Sequence, residues 1–243
     1  MTWYKEWFGA EYLELYAHRD EGEADRHIAF VVSLFDEPPR RILDLACGPS
    51  RHAAALQRHG FPAMGVDLSL LLLAQSPALP RAAGDMRRLP FTDASFDWVL
   101  NFFTSIGYFE TEEENSRVLE EIARVLAPHG RFLLDLMNLD ATLAQLKEYE
   151  QWEDGERRVE LRRWWDQERR RVNKRILLST PGREPRAFLE SVRAYTLDEV
   201  TSGLERAGLE VTKTFGSFAG EAYGRDSERL ILVGRKLGQS QLG

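Results

Sequence analysis

The stretch ILDLACGPSRHAAALQRHG, residues 42–60, joins a short strand, a turn of small residues and an amphipathic helix. Ile42, Leu43 and Leu45 form an apolar run that is typical of a buried strand. Asp44 interrupts that run, and Gly48 lies in the turn that follows it. A carboxylate and a glycine at the point where a strand leaves a sheet indicate a binding site at that edge.

From residue 41 to about residue 147, short apolar segments alternate with helical patterns. The apolar segments after the first are AMGVD, LPRAA, FDWVLNFF and GRFLLDLM. This alternation predicts a doubly wound α/β fold, with a mostly parallel sheet, right-handed crossovers and helices on both faces. The pattern resumes at Thr196 with a capping box, a helix and the strands LEVTKTF and RLILVGRK.

Two segments depart from this alternation. Apolar residues such as Ile28 and Val31 recur on one helical face near the N-terminus, which predicts a helical lid. Later in the chain, Gly155 and Gly182 follow Asp and Pro in hairpin signals, which predict an antiparallel insertion of roughly three or four strands. We therefore divide the chain into a lid (1–36), a core (37–147 and 196–237), an antiparallel insertion (148–195) and a flexible tail (238–243).

Composition limits the classes of function. The chain has 243 residues, 43% of them apolar, and a single cysteine, which fits a reducing compartment. The N-terminus lacks a signal-peptide pattern, and no apolar run reaches the roughly 20 residues of a membrane helix, so we expect a cytoplasmic protein without a membrane partner. A net charge of −7 argues against a nucleic-acid partner, and the scattered histidines predict no metal site.

Polar residues recur at the predicted strand ends. Asp44, Asp67, Asp85 and Asn101 each lie where a strand ends, and parallel strands bring such ends to one edge of the sheet. Asp67 lies nineteen residues after Gly48, a spacing that suits a carboxylate binding both hydroxyls of a ribose.

Two nucleotide-like ligands compete for this edge. A dinucleotide needs glycines at positions where this chain has Ser50 and Ala53, and Asp44 would repel a pyrophosphate. S-adenosylmethionine combines a ribose, an adenine and a positive charge, so the sequence favours it over NAD.

The motifs in this order resemble the class I S-adenosylmethionine-dependent methyltransferases, over most of residues 1–237. LDLACGPS is similar to their first motif, GVDLS to the second, GDMRRLPF to the adenine-contacting third and FDWVLNFFTSIGYF to the fourth. VLEEIARVLAPHGRFLLDLMN resembles the helix and strand that follow. The resemblance implies a seven-stranded sheet of order 3-2-1-4-5-7-6 with the last strand antiparallel, and S-adenosylhomocysteine as the product.

Within the class, TSIGYF and the β-rich insertion resemble small-molecule methyltransferases, including N-methyltransferases of nucleotide-linked amino sugars. The glycine positions of the first motif hold Ala46, Gly48 and Ser50, which are all small enough for close backbone approach. The expected activity is therefore methyl transfer to a nitrogen or oxygen of a small molecule.

The resemblance and the strand-end positions together assign a set of cofactor-binding residues. Similar enzymes close an N-terminal tyrosine and arginine over the methionine end, and Tyr16 and Arg19 share a helical face here. The predicted cofactor-binding residues are Tyr16, Arg19, Asp44, Ala46, Gly48, Asp67, Leu68, Asp85, Met86 and Asn101. No catalytic residue is assigned, and the candidates for the acceptor pocket are Tyr108, Asn138, Arg193 and Tyr195.

Alternative functions remain open at the level of sequence. The segment RRWWDQERRRVNKR interleaves basic and aromatic residues, which would favour an RNA or protein methyltransferase if it binds a polymer. A non-catalytic S-adenosylmethionine-binding module is the other alternative. Cys47 is expected to be a packed residue rather than a nucleophile. Four histidines are expected to be solvated: His18, His52, His59 and His129.

Overall fold

The computed structural model describes residues 2–17 and 19–238. His18 and tail residues 239–243 lie outside the described residues, so the expectations for them are not addressed. Within the described part of the chain, no helix is both long enough and apolar enough to cross a bilayer.

A seven-stranded sheet organises the molecule. Its strands are β1 (Ile42–Leu45), β2 (Ala63–Asp67), β3 (Arg81–Ala83), β4 (Phe96–Asn101), β5 (Leu126–Met137), β10 (Leu209–Phe215) and β11 (Arg229–Lys236). Their order is β3-β2-β1-β4-β5-β11-β10, and β11 is antiparallel to both of its neighbours. Numbered within the sheet, this is 3-2-1-4-5-7-6, so the predicted order and the antiparallel last strand are confirmed.

Helices connect the strands, as the alternation predicts. They are α4 (Arg51–Arg58), α5 (Leu70–Leu73), α6 (Glu112–Val125), α7 (Leu139–Ala144) and α8 (Leu197–Arg206). Thr196 and Glu199 form the complete capping box predicted for α8. All four residues of β1 are buried, because this strand lies in the middle of the sheet with helices over its faces.

A second sheet lies between α7 and α8 in the chain. It contains β6 (Tyr149–Asp154), β7 (Arg157–Asp166), β8 (Arg171–Ser179) and β9 (Arg186–Arg193), all antiparallel and paired in chain order. The predicted antiparallel insertion is therefore confirmed. Gly107 ties this sheet to the loop after β4: its φ is +102°, and a Cβ there would lie 2.3 Å from the Arg193 carbonyl oxygen.

The N-terminal segment forms three helices: α1 (Trp3–Trp7), α2 (Ala10–Leu15) and α3 (Glu21–Ser33). Trp7 is fully buried, and its ring lies 5.0 Å from that of Phe188 on β9. Ile28 and Val31 of α3 are buried in a different cluster, which also contains α4. The N-terminal segment is thus joined to both sheets.

Candidate active site

The turn after β1 shapes one wall of a cleft at the carboxyl edge of the large sheet. Ala46, Gly48 and Ser50 all have left-handed backbones, with φ of 56°, 54° and 61°. Such a conformation in two non-glycine residues costs about 1 kcal/mol or more each and is typical of binding loops. Ser50 begins α4 without capping it, since no hydrogen bond to its side chain closes the first turn.

Asp67, at the end of β2, is held in place by main-chain donors. The Gly48 N–H donates to Oδ2 at 2.8 Å, and the Ser69 N–H donates to Oδ1 at 2.8 Å. Burial raises the pKa of Asp67, while these N–H groups oppose the rise. Because each carboxylate oxygen has a further lone pair and the residue lines the cleft, Asp67 is suited to bind a diol.

Asp44 is nearly inaccessible, with 1% exposure, and it accepts a hydrogen bond from the Ala53 N–H at 3.2 Å. Burial raises its pKa to about 7. A buried carboxylate with no cationic partner so close to a cleft is suited to stabilise a positive charge bound there.

The end of β3 contributes Asp85 and Met86, which both line the cleft. Arg87 binds the Asp85 carboxylate through Nη2 at 2.6 Å and Nε at 3.0 Å. Burial would raise the pKa of Asp85, but the hydrogen bonds from Arg87 lower it below its usual value. Leu68 lines the same region and is 40% exposed, so it presents an apolar surface to a ligand.

Tyr16 and Arg19 reach the cleft from the N-terminal segment. The Arg19 guanidinium carbon lies 4.4 Å from the Tyr16 ring centroid and 4.5 Å from that of Phe103. Arg19 Nη1 also donates to the Tyr12 hydroxyl at 2.9 Å. The guanidinium is therefore oriented by three rings before any ligand binds.

Asn101 is placed differently from the prediction. Its side chain is fully buried, is not among the residues lining the cleft, and donates from Nδ2 to the Leu45 carbonyl at 2.7 Å. It therefore joins the ends of β1 and β4 rather than contacting a ligand, and we withdraw it from the cofactor set. The residues Phe102 and Phe103 that follow it line the cleft instead.

Of the four acceptor-pocket candidates, only Tyr108 lines the cleft. Asn138 is buried, and its Nδ2 donates to main-chain carbonyls of Arg225 and Ser227. Arg193 binds Glu112 and Glu199, and Tyr195 donates to Glu112, in a separate pocket. Alternation predicts that Arg193 and Tyr195 share a face, but that face turns away from the cleft, and Asn138, directly after β5, is taken up by the main chain of residues 224–227. These three assignments are therefore corrected.

Three further residues line the cleft from the antiparallel sheet and were not predicted: Lys174 on β8, and Glu190 and Val192 on β9. His52 is 5% exposed and lines the cleft, so the expectation of a solvated side chain is wrong. His52 Nε2 lies 3.2 Å from His27 Nδ1, and its ring stacks at 3.8 Å on Phe102. The spacing of residues within α3 and within α4 does not predict that these two histidines meet.

Cys47 is buried beside the cleft, and burial raises its thiol pKa well above the usual value. Its Sγ lies 3.3 Å from Ser50 Oγ, so it packs against the turn as a protonated thiol. Within the described ranges, no group of three or more His, Cys, Asp or Glu side chains is arranged to hold a metal ion.

Comparison with known proteins identifies the family of this chain. A family described as a methyltransferase domain matches residues 43–134. The chain is 30% identical over 215 residues to a cypemycin N-terminal methyltransferase of a Streptomyces species, covering 85% of this chain and 87% of that relative. The chain belongs to the class I S-adenosylmethionine-dependent methyltransferases. This methyltransferase therefore uses S-adenosylmethionine as its cofactor.

Two further matches define how far the likeness extends. The methyltransferase is 35% identical over 99 residues to a demethylmenaquinone methyltransferase of Mycolicibacterium paratuberculosis, which covers 40% of this chain and only 41% of that relative. The X-ray structure of the sugar N-methyltransferase KedS8 of a Streptoalloteichus species has a TM-score of 0.73 and 22% identity, covering 95% of this chain and 94% of that one. At this identity the structural likeness establishes the fold alone.

The cleft of this methyltransferase fits the cofactor. Its volume is about 740 Å³, within the range of small-molecule sites. The left-handed turn at Gly48 leaves backbone open to a ligand, and the Asp67 carboxylate suits a ribose diol. Asp44 and Arg19 both line the cleft, an acidic and a basic side chain that suit a ligand bearing a sulfonium and a carboxylate.

Proposed function

We propose that this methyltransferase transfers the methyl group of S-adenosylmethionine to a nitrogen or oxygen of a small molecule. The observation that carries the proposal is that three separate parts of the chain close the cleft. Tyr12 from the N-terminal helices, Tyr108 from the loop after β4 and Val192 from the antiparallel sheet all line the same space. A cleft closed on these three sides has room for a small acceptor beside the cofactor but little room for a folded polymer.

We propose that the large sheet supplies the cofactor-binding residues and that the antiparallel sheet contributes to the acceptor side. We assign cofactor binding to Asp44, Asp67 and the turn at Gly48, with Arg19 holding the carboxylate and Met86 the adenine. The lid of residues 1–36 and the insertion of residues 148–195 are proposed to form the acceptor side. S-adenosylmethionine supplies an activated methyl group, so the protein has to orient the acceptor and exclude water, which together lower the barrier by roughly 7–11 kcal/mol.

The names of the relatives support a nitrogen or oxygen acceptor. The cypemycin relative is named for an N-terminal methylation, and the KedS8 structure is titled a sugar N-methyltransferase. The arginine-rich segment gives little support to an RNA substrate, because several of its basic side chains are paired with carboxylates. Arg163 binds Glu150, Arg170 binds Glu199, and Lys174 binds Glu190.

Calorimetric titration followed by a transfer assay tests this proposal. S-adenosylhomocysteine should bind and NAD should not, and a fractionated small-molecule extract should release S-adenosylhomocysteine from added S-adenosylmethionine. Binding without turnover on any fraction would instead identify a non-catalytic module. Turnover on RNA or protein fractions alone would contradict the small-molecule acceptor.

A further inference from the structure

An ion pair lies on the inner face of the antiparallel sheet, beside buried apolar residues. Lys174 on β8 and Glu190 on β9 are opposite each other in the register, with Nζ 2.6 Å from Oε2. Both side chains are largely buried, at 15% and 20% exposure, and both line the cleft. Their neighbours on this face, such as Ile176 and Phe188, are buried and apolar. Since withdrawing two charges from water is unfavourable, packing alone gives no reason for this pair.

The pair is connected to the N-terminal segment. Lys174 Nζ donates to the Tyr16 hydroxyl at 2.6 Å and lies 5.3 Å from the centroid of the same ring. Burial would lower the pKa of Lys174, but the charge of Glu190, the interaction with Tyr16 and the hydrogen bonds to both together raise that pKa, so the lysine stays protonated. Lys174 thus holds Oε2 of Glu190 at a fixed position on the cleft wall.

Facing the pair is a continuous surface of aromatic rings, which we call the aromatic wall. Ring centroids are 4.8 Å apart for Trp3 and Tyr108, 4.9 Å for Phe8 and Tyr12, and 5.0 Å for Tyr12 and Tyr16. The faces of such rings carry negative potential and attract cations. The structure shows this attraction at Tyr16, over whose ring the Arg19 guanidinium carbon lies at 4.4 Å. The wall comprises Trp3, Tyr4, Phe8, Tyr12, Tyr16 and Tyr108, all lining the cleft.

Several other charged groups of the cleft are engaged by partners away from the antiparallel sheet. Arg229 binds Asp135 at 2.6 Å, Arg51 lies 3.5 Å from Glu23, and Asp85 is bound by Arg87. Among the cleft residues that the structure describes on the antiparallel sheet, Glu190 is the one carboxylate. A ligand that enters beyond the cofactor therefore meets the Lys174–Glu190 pair, whose carboxylate has lone pairs beyond the one that Lys174 occupies, and the aromatic wall.

We propose that the methyl acceptor is an amine, whose ammonium group is recognised by Glu190 against the aromatic wall, with Lys174 as the positioning residue for the carboxylate. The bound ammonium passes one proton to the Glu190 carboxylate, the freed nitrogen lone pair bonds to the methyl carbon as the sulfur–methyl bond breaks, and S-adenosylhomocysteine is the leaving group. This inference rests on the proposed function, because it places the acceptor in the same cleft. A hydroxyl acceptor would gain no charge–charge attraction from the Glu190 carboxylate or cation–π attraction from the aromatic wall. A carboxylate acceptor would be repelled by Glu190 and by the ring faces.

Three ring compounds of similar size test the inference on protein saturated with S-adenosylhomocysteine: cyclohexylamine, cyclohexanol and cyclohexanecarboxylate. At neutral pH the amine is a cation, so we expect it to bind about tenfold or more tightly than the alcohol, and the carboxylate to bind weakest. E190Q should remove the advantage of the amine while leaving affinity for the alcohol unchanged. E160Q, on the outer face of the same sheet between buried Val159 and Leu161, is the matched control and should retain the advantage.

E190Q leaves Lys174 without its carboxylate partner. The double variant K174M/E190Q removes both charges, so it provides a second test of whether the binding advantage of the amine over the alcohol is lost. Equal binding of amine and alcohol, tightest binding of the carboxylate, or an unchanged preference in both variants would overturn the inference. These results would leave the proposed function intact as long as S-adenosylhomocysteine binds. Failure of the wild-type protein to bind S-adenosylhomocysteine would overturn the proposed function and this inference together.

Discussion

The two sides of the cleft are built in different ways. On the proposed cofactor side, Gly48 and Asp67 are joined by a hydrogen bond between residues only 19 positions apart. On the proposed acceptor side, Lys174 and Tyr16 are joined across 158 positions. The first arrangement repeats a local strand–turn–helix pattern, whereas the second exists only after the N-terminal helices have packed on the antiparallel sheet. Substitutions on the cofactor side should therefore affect ligand affinity through contacts within one strand–turn–helix unit. Substitutions on the acceptor side should affect contacts between segments that are far apart in the chain.

The largest expected effect tests the cofactor side. With Asp67 binding the ribose as proposed, D67A would remove two charge-assisted hydrogen bonds worth about 1.5–3 kcal/mol each, so affinity for S-adenosylhomocysteine should fall about 100-fold or more. Titration calorimetry measures the loss. D97A is the control, because Asp97 binds Arg41 at the opposite end of the sheet and should not alter affinity. Unchanged affinity in D67A would remove the ribose assignment.

A second prediction concerns the buried Asp44. Its folded-state pKa is raised to about 7, so the folded protein holds this proton more tightly than the unfolded chain, and stability is lost as pH rises from about 4 towards 7. D44N removes that loss. Its free energy of unfolding without ligand should exceed that of wild type by on the order of 2–4 kcal/mol at pH 8, with little difference at pH 4.

Urea unfolding at the two pH values checks the effect. D97N should show the opposite sign at pH 8: burial tends to raise the pKa of Asp97, but its hydrogen bonds with Arg41 lower it, so its ionised form stabilises the fold. If D44N gained nothing at pH 8, Asp44 would not carry a raised pKa.

A third prediction separates the acceptor side from its structural support. Arg193 is buried and binds Glu112 and Glu199, which are partly exposed, so R193M should lower the free energy of unfolding by about 2 kcal/mol. Affinity for S-adenosylhomocysteine should stay within about twofold. R170M, which removes a more exposed partner of Glu199, should cost less than about 1 kcal/mol. A loss of cofactor affinity in R193M with full stability would return Arg193 to the ligand site.

The smallest expected effect concerns His52, where α4 meets α3 beside the cleft. Burial lowers its pKa well below 6.5, so the unfolded chain binds a proton that the folded protein excludes. This stability is present above pH 6.5 and is lost as pH falls below it. H52F should therefore reduce the loss of unfolding free energy on acidification by about 1 kcal/mol per pH unit below 6.5. Urea unfolding over this pH range measures the difference between H52F and wild type.

The sequence by itself determined the fold. Strand–helix alternation and the ordered motifs predicted the large sheet, and hairpin signals predicted the small one, because both patterns depend on neighbours in the chain. The turn at Gly48 and the carboxylate of Asp67 were predicted as cofactor contacts for the same reason, and the structure brings both to one cleft. Asn101 was misassigned because a strand-end position does not reveal whether a polar side chain faces a ligand or a neighbouring strand.

Only the tertiary structure decided the acceptor side. Alternation on β9 places Arg193 and Tyr195 on a common face, but packing of the sheet turns that face towards Glu112 and brings Glu190 and Val192 to the cleft. The sequence pattern predicted an exposed His52 on α4, whereas in the structure α3 covers that position and His27 contacts His52. Periodicity records which residues share a face, whereas the direction of that face is set by contacts between segments far apart in the chain, and the sequence pattern does not contain those contacts.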